Sequence, residues 1–341
     1  MITYDKDKHT LSVLVDNFPD ETPDPGTGGY FEQVKKTGYH TLTKADRYLV
    51  DDIRHIVFNG YKDVNPRPKY EDGTPAHTFS VNHRVRSYDL SRGEFPISTL
   101  RPVAWRTGIR ELFTIYQKPT NVISEMEKLG VKWWNPWDIG DGTIGHRYGH
   151  TVNRYDLMNK LLNDIKNDPY GRRHIIDLWQ EEEFKETTGL APCAFLTIWN
   201  VRNDGDGNEF LDMMLVQRSG DMITASGAGQ VNEVQYATLL MMVAQHTGYV
   251  PGVFTHVVTN EQIYDRHIDA AKELMERYKL VSELNDKVFK ESIAKYGMIF
   301  RLEPHLKLRP NIDNFFDFKI KDFMMLDYDP IKPNIKLPLG I

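Results

Sequence analysis

Hydrophobic positions along this chain switch between two periods, and the switches outline its elements. Leu49, Ile53, Ile56 and Val57 share one face at helical spacing, and Gly60 stands where that helix would stop. Asp72-Gly73-Thr74 makes a turn, after which alternation from Phe79 to Tyr88 predicts a strand. Ile109 to Tyr116 predicts a helix carrying Glu111, and Leu157 to Ile165 another that ends before Asp168-Pro169. The middle of the chain is strand-rich: Ile175 to Trp179, Ala194 to Val201 and Phe210 to Gln217. The last two flank Asn203-Asp204-Gly205-Asp206-Gly207-Asn208, a hairpin loop by composition. Val231, Val234, Leu239, Met242 and Val243 fit a largely buried helix running to Gln245, with Gly248 just beyond it. Val253 to Val258 reads as a strand and Asp265 to Tyr278 as an amphipathic helix.

Residues 1–44 read as an N-terminal extension of unassigned role. Leu11, Val13 and Val15 alternate like a short strand, and Asp20 to Gly29 is a turn-rich linker. No repeat and no later boundary divides residues 45–341, which read as one domain. Composition sets outer limits: 341 residues, 40% hydrophobic, 26% charged, net charge −6. This is ordinary globular material with no dominant basic face, so no nucleic-acid partner is expected. No apolar run approaches 18 residues and the first residues lack a signal-peptide layout, so neither membrane span nor export is expected. A single cysteine excludes an internal disulfide and a multi-cysteine metal site; no metal is expected, and a reducing cytoplasm is the expected location.

That cysteine draws attention through its neighbours. An isolated cysteine is ordinarily a small buried apolar residue. Cys193, however, follows Leu190-Ala191-Pro192, and Gln217-Arg218-Ser219-Gly220-Asp221 comes soon after it. A thiolate is a soft nucleophile, and a nearby arginine such as Arg218 would lower the thiol pKa. Arg218-Ser219 offers a planar cation and a hydroxyl, a grip for phosphate. Arg172-Arg173 is a second cationic pair, suited to a solvated surface, a phosphate clamp or an interface. Asn232 lies in an apolar helical stretch, where its amide is capped by backbone or reads a polar ligand edge. Glu111 sits among Leu112, Phe113 and Ile115, where a carboxylate either does proton work or faces water. No Gly-rich phosphate loop and no His-Glu-x-x-His occurs. Together these groups suggest covalent catalysis on a nucleotide.

In this order the segments resemble thymidylate synthase, the folate-dependent family that methylates dUMP, over about residues 46–341. The resemblance rests on Asp72 to Thr78, Arg110-Glu111-Leu112, Trp134-x-x-Trp137 and Gly142 to Gly149. Asn167 to Arg173, Pro192-Cys193, Gln217 to Asp221 and the segment from Phe315 to Tyr328 complete it. It implies an α+β fold: one large domain with a twisted mixed sheet packed by helices, one sheet face forming a homodimer interface. It implies 5,10-methylenetetrahydrofolate as co-substrate. By resemblance Cys193 adds to C6 of the uracil, Glu111 organises proton transfer and Tyr148 assists removal of the C5 proton. Arg67, Arg218 and Ser219, with Arg172 and Arg173 from the partner subunit, bind the 5′-phosphate. Asn232 reads the pyrimidine, Gln262 and Tyr264 lie at the sugar, and Trp134, Leu190 and Asp221 face the folate.

Three departures stand out. Gln262-Ile263-Tyr264 replaces a His-x-Tyr, Ala194 replaces a histidine after the nucleophile, and Ala225 to Gly229 lengthens a loop by about three residues. A pyrimidine-nucleotide hydroxymethylase, in which water replaces hydride in the last step, shares the scaffold, as does a catalytically silent nucleotide-binding homologue.

Overall fold

The computed structural model describes residues 2–5, 10–13, 41–296, 303–335 and 337–338. Val15 and the linker at 20–29 lie outside the described residues. Strands β1 (Ile2–Asp5) and β2 (Thr10–Val13) form a separate antiparallel pair. Helix α1 (Lys44–Asn59) opens the packed body. Thr43 caps it, accepting from Asp46 N while Asp46 accepts from Thr43 N, and Gly60 follows its end. Strands β3 (Tyr61–Lys62) and β4 (Thr78–Asp89) precede α2 (Trp105–Leu112), α3 (Ile123–Lys128), α4 (Gly149–Arg154) and α5 (Leu157–Asn167). Then come β5 (His174–Asp177), α6 (Glu181–Glu186), β6 (Ala194–Asn203), β7 (Glu209–Gln217) and β8 (Gly220–Asp221). Helix α7 (Val231–Thr247), β9 (Val250–Tyr264), α8 (Ile268–Tyr296), β10 (His305–Leu308) and β11 (Phe323–Leu326) complete the described chain.

The main sheet runs β3-β4-β9-β7-β6-β5, with β8 also paired to β9. Strand β9 is antiparallel to β4 but parallel to β7 and β8, so the sheet is mixed, as expected. Its inner face, with Trp199, Leu215 and Phe254, packs into one core with α7. Helix α7 is apolar on nearly every side because it lies between this face and α2. The outer face carries apolar ranks: Leu196, Val216, Val257 and Val85 pair across four strands, and Ile175, Ile198 and Met214 across three. Val85, Ile175 and Met214 are exposed.

Three elements differ from the sequence reading, one being the helix expected over 265–278, which starts at Ile268 and runs on to Tyr296. The helix expected over 109–116 is α-helical only to Leu112 and continues as a π-helical turn, Phe113–Gln117. The strand expected to stop at Val258 runs on to Tyr264. The polar run Thr259-Asn260-Glu261-Gln262 masks that extension in the sequence, yet Glu261 is fully buried because it pairs with Arg86 of β4. Among the described residues, no helix is long and apolar enough to cross a membrane.

Candidate active site

A cavity of about 800 Å³ opens where β6, β7, β8 and β9 end beside α2 and α7. Cys193 lines it, immediately before β6, whose first pairs are irregular between Ala194 and Leu196. The end of β7 ties down the nucleophile turn. Arg218 N donates to Cys193 O at 2.9 Å, Arg218 Nε to Pro192 O at 2.9 Å, and Nη2 to Ala191 O at 2.7 Å. That leaves Nη2 3.6 Å from the Cys193 sulfur. Burial pushes the thiol pKa up, while Arg218 and then Arg67 pull it down; burial prevails. The expected net depression by arginine is therefore not met within one chain: the cations are near, but the thiol is largely desolvated.

Tyr148 reaches the same turn, its hydroxyl accepting from Cys193 N at 2.9 Å. Its φ of 51° is in the left-handed region, where a tyrosine is strained. The following Gly149 explains how closely the chain approaches: an added Cβ would lie 2.4 Å from Thr120 O and 2.5 Å from Thr114 O. Trp134 stands against Tyr148, ring centroids 5.3 Å apart.

Glu111 is turned into the cavity by α2. It accepts from Trp133 Nε1 at 2.7 Å, from Trp134 Nε1 and from Gln235 Nε2. All three donors are neutral, and burial raises its pKa against their pull. It is buried, and the little surface it keeps is part of the cavity lining. Asp221 caps the turn Met222–Ser226, accepting from Ile223 N, Thr224 N and Thr224 Oγ1. Burial raises its pKa too, against the pull of His267.

Asn232 is fixed by side chains rather than by backbone. Its Nδ2 donates to Gln235 Oε1 at 3.0 Å, and its Oδ1 accepts from Ser226 Oγ at 2.8 Å. Gln235 also donates to Gly108 O at 3.0 Å; a carbonyl can only accept, so the orientation of both amides follows. Ser226 belongs to the lengthened loop, which lines the cavity with Thr224 and Ala225.

Arg67, Ser219, Gln262, Tyr264 and Leu190 also line this cavity. Arg67 and Arg218 meet again in a shallower recess beside it. Arg172 and Arg173 are exposed and do not line the cavity of their own chain. Two contributors escaped the sequence reading: Trp133 as a partner of Glu111 and the Gln217 side chain. Gln217 had a signal, since it continues the inward-facing series Leu211, Met213, Leu215 with an amide.

A family model described as thymidylate synthase matches residues 47–341. The chain belongs to the thymidylate synthase family. It is 44% identical over 302 residues to thymidylate synthase of Lactococcus lactis subsp. cremoris, covering 88% of this chain and 100% of the relative. Thymidylate synthase of Streptococcus pneumoniae is 41% identical over 303 residues, with the same coverage of each chain. Among solved structures, thermostable thymidylate synthase A from Bacillus subtilis superposes with a TM-score of 0.72 at 32% identity, over 87% of this chain and 99% of that one. The thymidylate synthase family transfers a one-carbon unit from 5,10-methylenetetrahydrofolate to C5 of a pyrimidine nucleotide.

Proposed function

We propose that this protein catalyses the reductive methylation of dUMP to dTMP with 5,10-methylenetetrahydrofolate. The observation that carries this reading is the convergence of Cys193, Glu111 and Asn232 on one cavity below Arg67 and Arg218. A planar base fits between the thiol and the wall of Trp133, Trp134 and Leu190, with its phosphate toward the arginines. The Cys193 sulfur forms a bond to C6, and the electron pair displaced from the C5–C6 double bond moves toward C5 and O4. Asn232 offers its second Nδ2 hydrogen to O4 and Oδ1 to N3–H. Its preset orientation stabilises the developing charge without rearrangement. Glu111, with its raised pKa, handles the proton at O4 through water, and Tyr148 stands beside the departing C5 proton. Gln262 and Tyr264 hold the sugar; Trp134, Leu190 and Asp221 face the folate.

The exposed position of Arg172 and Arg173 supports a homodimer in which these residues complete the partner's phosphate site. The apolar outer ranks of the sheet supply the matching surface. The expected location is the cytoplasm. Mass spectrometry of the product from dUMP and 5,10-methylenetetrahydrofolate tests the reaction. Gain of a methyl group is expected; gain of a hydroxymethyl group would assign the hydroxymethylase reaction. No product would leave nucleotide binding alone. Mixed dimers of Cys193→Ala and Arg172→Ala subunits should regain activity, and their failure to do so would refute shared sites.

A further inference from the structure

Behind the cavity lies a cluster of charges that the reaction does not touch. Arg86, 1% exposed, is ringed by Asp52, Glu233 and Glu261, all buried. Such a cluster is costly to desolvate and carries no net stability by default. Its bonds lead to the base-reading amide by two routes. In the first, Arg86 Nη2 donates to Ser226 O at 2.8 Å, and Glu233 Oε2 accepts from Gly229 N at 2.7 Å. The loop is thereby held at Ser226 and Gly229, and Ser226 Oγ meets Asn232 Oδ1 at 2.8 Å.

The second route runs through His256. Gln217 Nε2 donates to Ser219 O at 2.9 Å, which forces Gln217 Oε1 toward His256 Nε2, 3.1 Å away. Arg86 Nη2 lies 3.1 Å from His256 Nδ1 and can only donate. Both contacts are satisfied with the proton on Nε2; the other tautomer satisfies only the 3.0 Å contact of Nδ1 with Glu233. Gln217 Nε2 then faces Ser226 Oγ at 2.7 Å and Asn232 Oδ1 at 3.4 Å. The Ser226 hydroxyl can donate or accept, but Gln217 Nε2 can only donate and Gln235 Oε1 can only accept, so a flipped amide would set its N–H against the first and its oxygen against the second.

We infer that the buried Arg86–Glu233–His256 cluster is a positioning device for base selection, which holds Asn232 in the uracil-reading orientation through Ser226 and Gln217. The inference rests on the assignment of Asn232 to the pyrimidine edge. Cytosine presents the reverse donor and acceptor pattern, so a held amide rejects it and a freed amide can turn to meet it.

The test measures the dissociation constants of dUMP and dCMP by calorimetry for the unmodified protein, His256→Phe, Ser226→Ala and His256→Gln. The unmodified protein should prefer dUMP. His256→Phe removes the donor to Gln217 while keeping a ring beside Phe254, and Ser226→Ala removes the hydroxyl while keeping the backbone carbonyl. Each should shrink the preference about tenfold, the scale of one mispaired polar contact. His256→Gln, which can still donate, should restore it. A general loss of packing would weaken both nucleotides together and leave their ratio unchanged. Folded His256→Phe and Ser226→Ala proteins with the unmodified ratio would overturn the positioning role and leave the proposed reaction standing. An unmodified protein that binds neither nucleotide, or prefers dCMP, would instead overturn the assignment of Asn232 and the inference with it.

Discussion

Glu111 and Glu233 are both buried carboxylates from neighbouring helices, Glu111 lining the cavity and Glu233 lying behind it, yet they are held in opposite ways. Glu111 is surrounded by neutral donors, Trp133, Trp134 and Gln235. Glu233 lies against the Arg86 guanidinium at 2.6 Å, with Tyr88 and Gly229 N completing its shell. Burial acts to raise both. For Glu111 it prevails, and the pKa is raised. For Glu233 the attraction of Arg86 overcomes burial and brings the pKa to about 2. Hydrogen bonds from neutral groups satisfy a carboxylate without committing it to the charged form; a guanidinium commits it. The first arrangement keeps a proton within reach of chemistry, and the second builds a fixed frame.

The largest effect expected on the reactive side comes from Cys193→Ala. It should abolish turnover with folding intact, since the side chain makes no bond that holds an element in place. Appreciable residual turnover would refute the covalent step and leave Glu111 no adduct to serve. Glu111→Gln comes next. It keeps the shape but not the transferable proton, and kcat should fall by about 10²- to 10⁴-fold. Its amide nitrogen must face one of the N–H donors that the carboxylate accepts from, so a stability loss of about 1–3 kcal/mol should accompany the fall in kcat. A large stability loss with kcat preserved would make Glu111 a frame residue like Glu233.

Arg86→Met should show the reverse pattern. Removing the cation leaves buried carboxylates uncompensated, at a cost of about 3–5 kcal/mol of unfolding free energy. Urea denaturation at neutral pH measures it, and a loss below about 1 kcal/mol would break the contrast.

The smallest and most discriminating effect is the pH dependence of stability. The Glu111 pKa is raised on folding, so the folded state binds more protons than the unfolded one above the unfolded carboxylate value of 4.5. Its contribution is full below that value and is lost as pH rises through the folded pKa. The Glu233 pKa is depressed, so its contribution is full above 4.5 and is lost as pH falls toward about 2. Unfolding free energies of the unmodified protein, Glu111→Gln and Glu233→Gln between pH 3 and 8 read both. The difference from Glu111→Gln should narrow on the alkaline side, and that from Glu233→Gln on the acid side. Parallel curves would show that the two carboxylates share one environment.

The sequence reading singled out Cys193, Arg218 and Asn232, which line one cavity, because each sits in a short segment whose residue types announce chemistry. It found most elements because their apolar faces repeat at 2 or 3.6 residues. It missed the end of β9, where Glu261 and Gln262 look solvated in isolation; burial there is decided by Arg86, 175 positions away in the chain. It left Glu111 undecided between water and chemistry, since nothing local says that Trp133, Trp134 and Gln235 converge on it.

Sequence alone thus determined which reactive groups this protein possesses and which faces must be buried, because residue chemistry and periodicity are local properties. Only the tertiary structure decided which carboxylate is paired with a cation, which amide is fixed and how far the thiol is desolvated. Those outcomes depend on distances of a few ångströms between segments far apart in the chain, where desolvation and charge act strongly and where no local pattern records them.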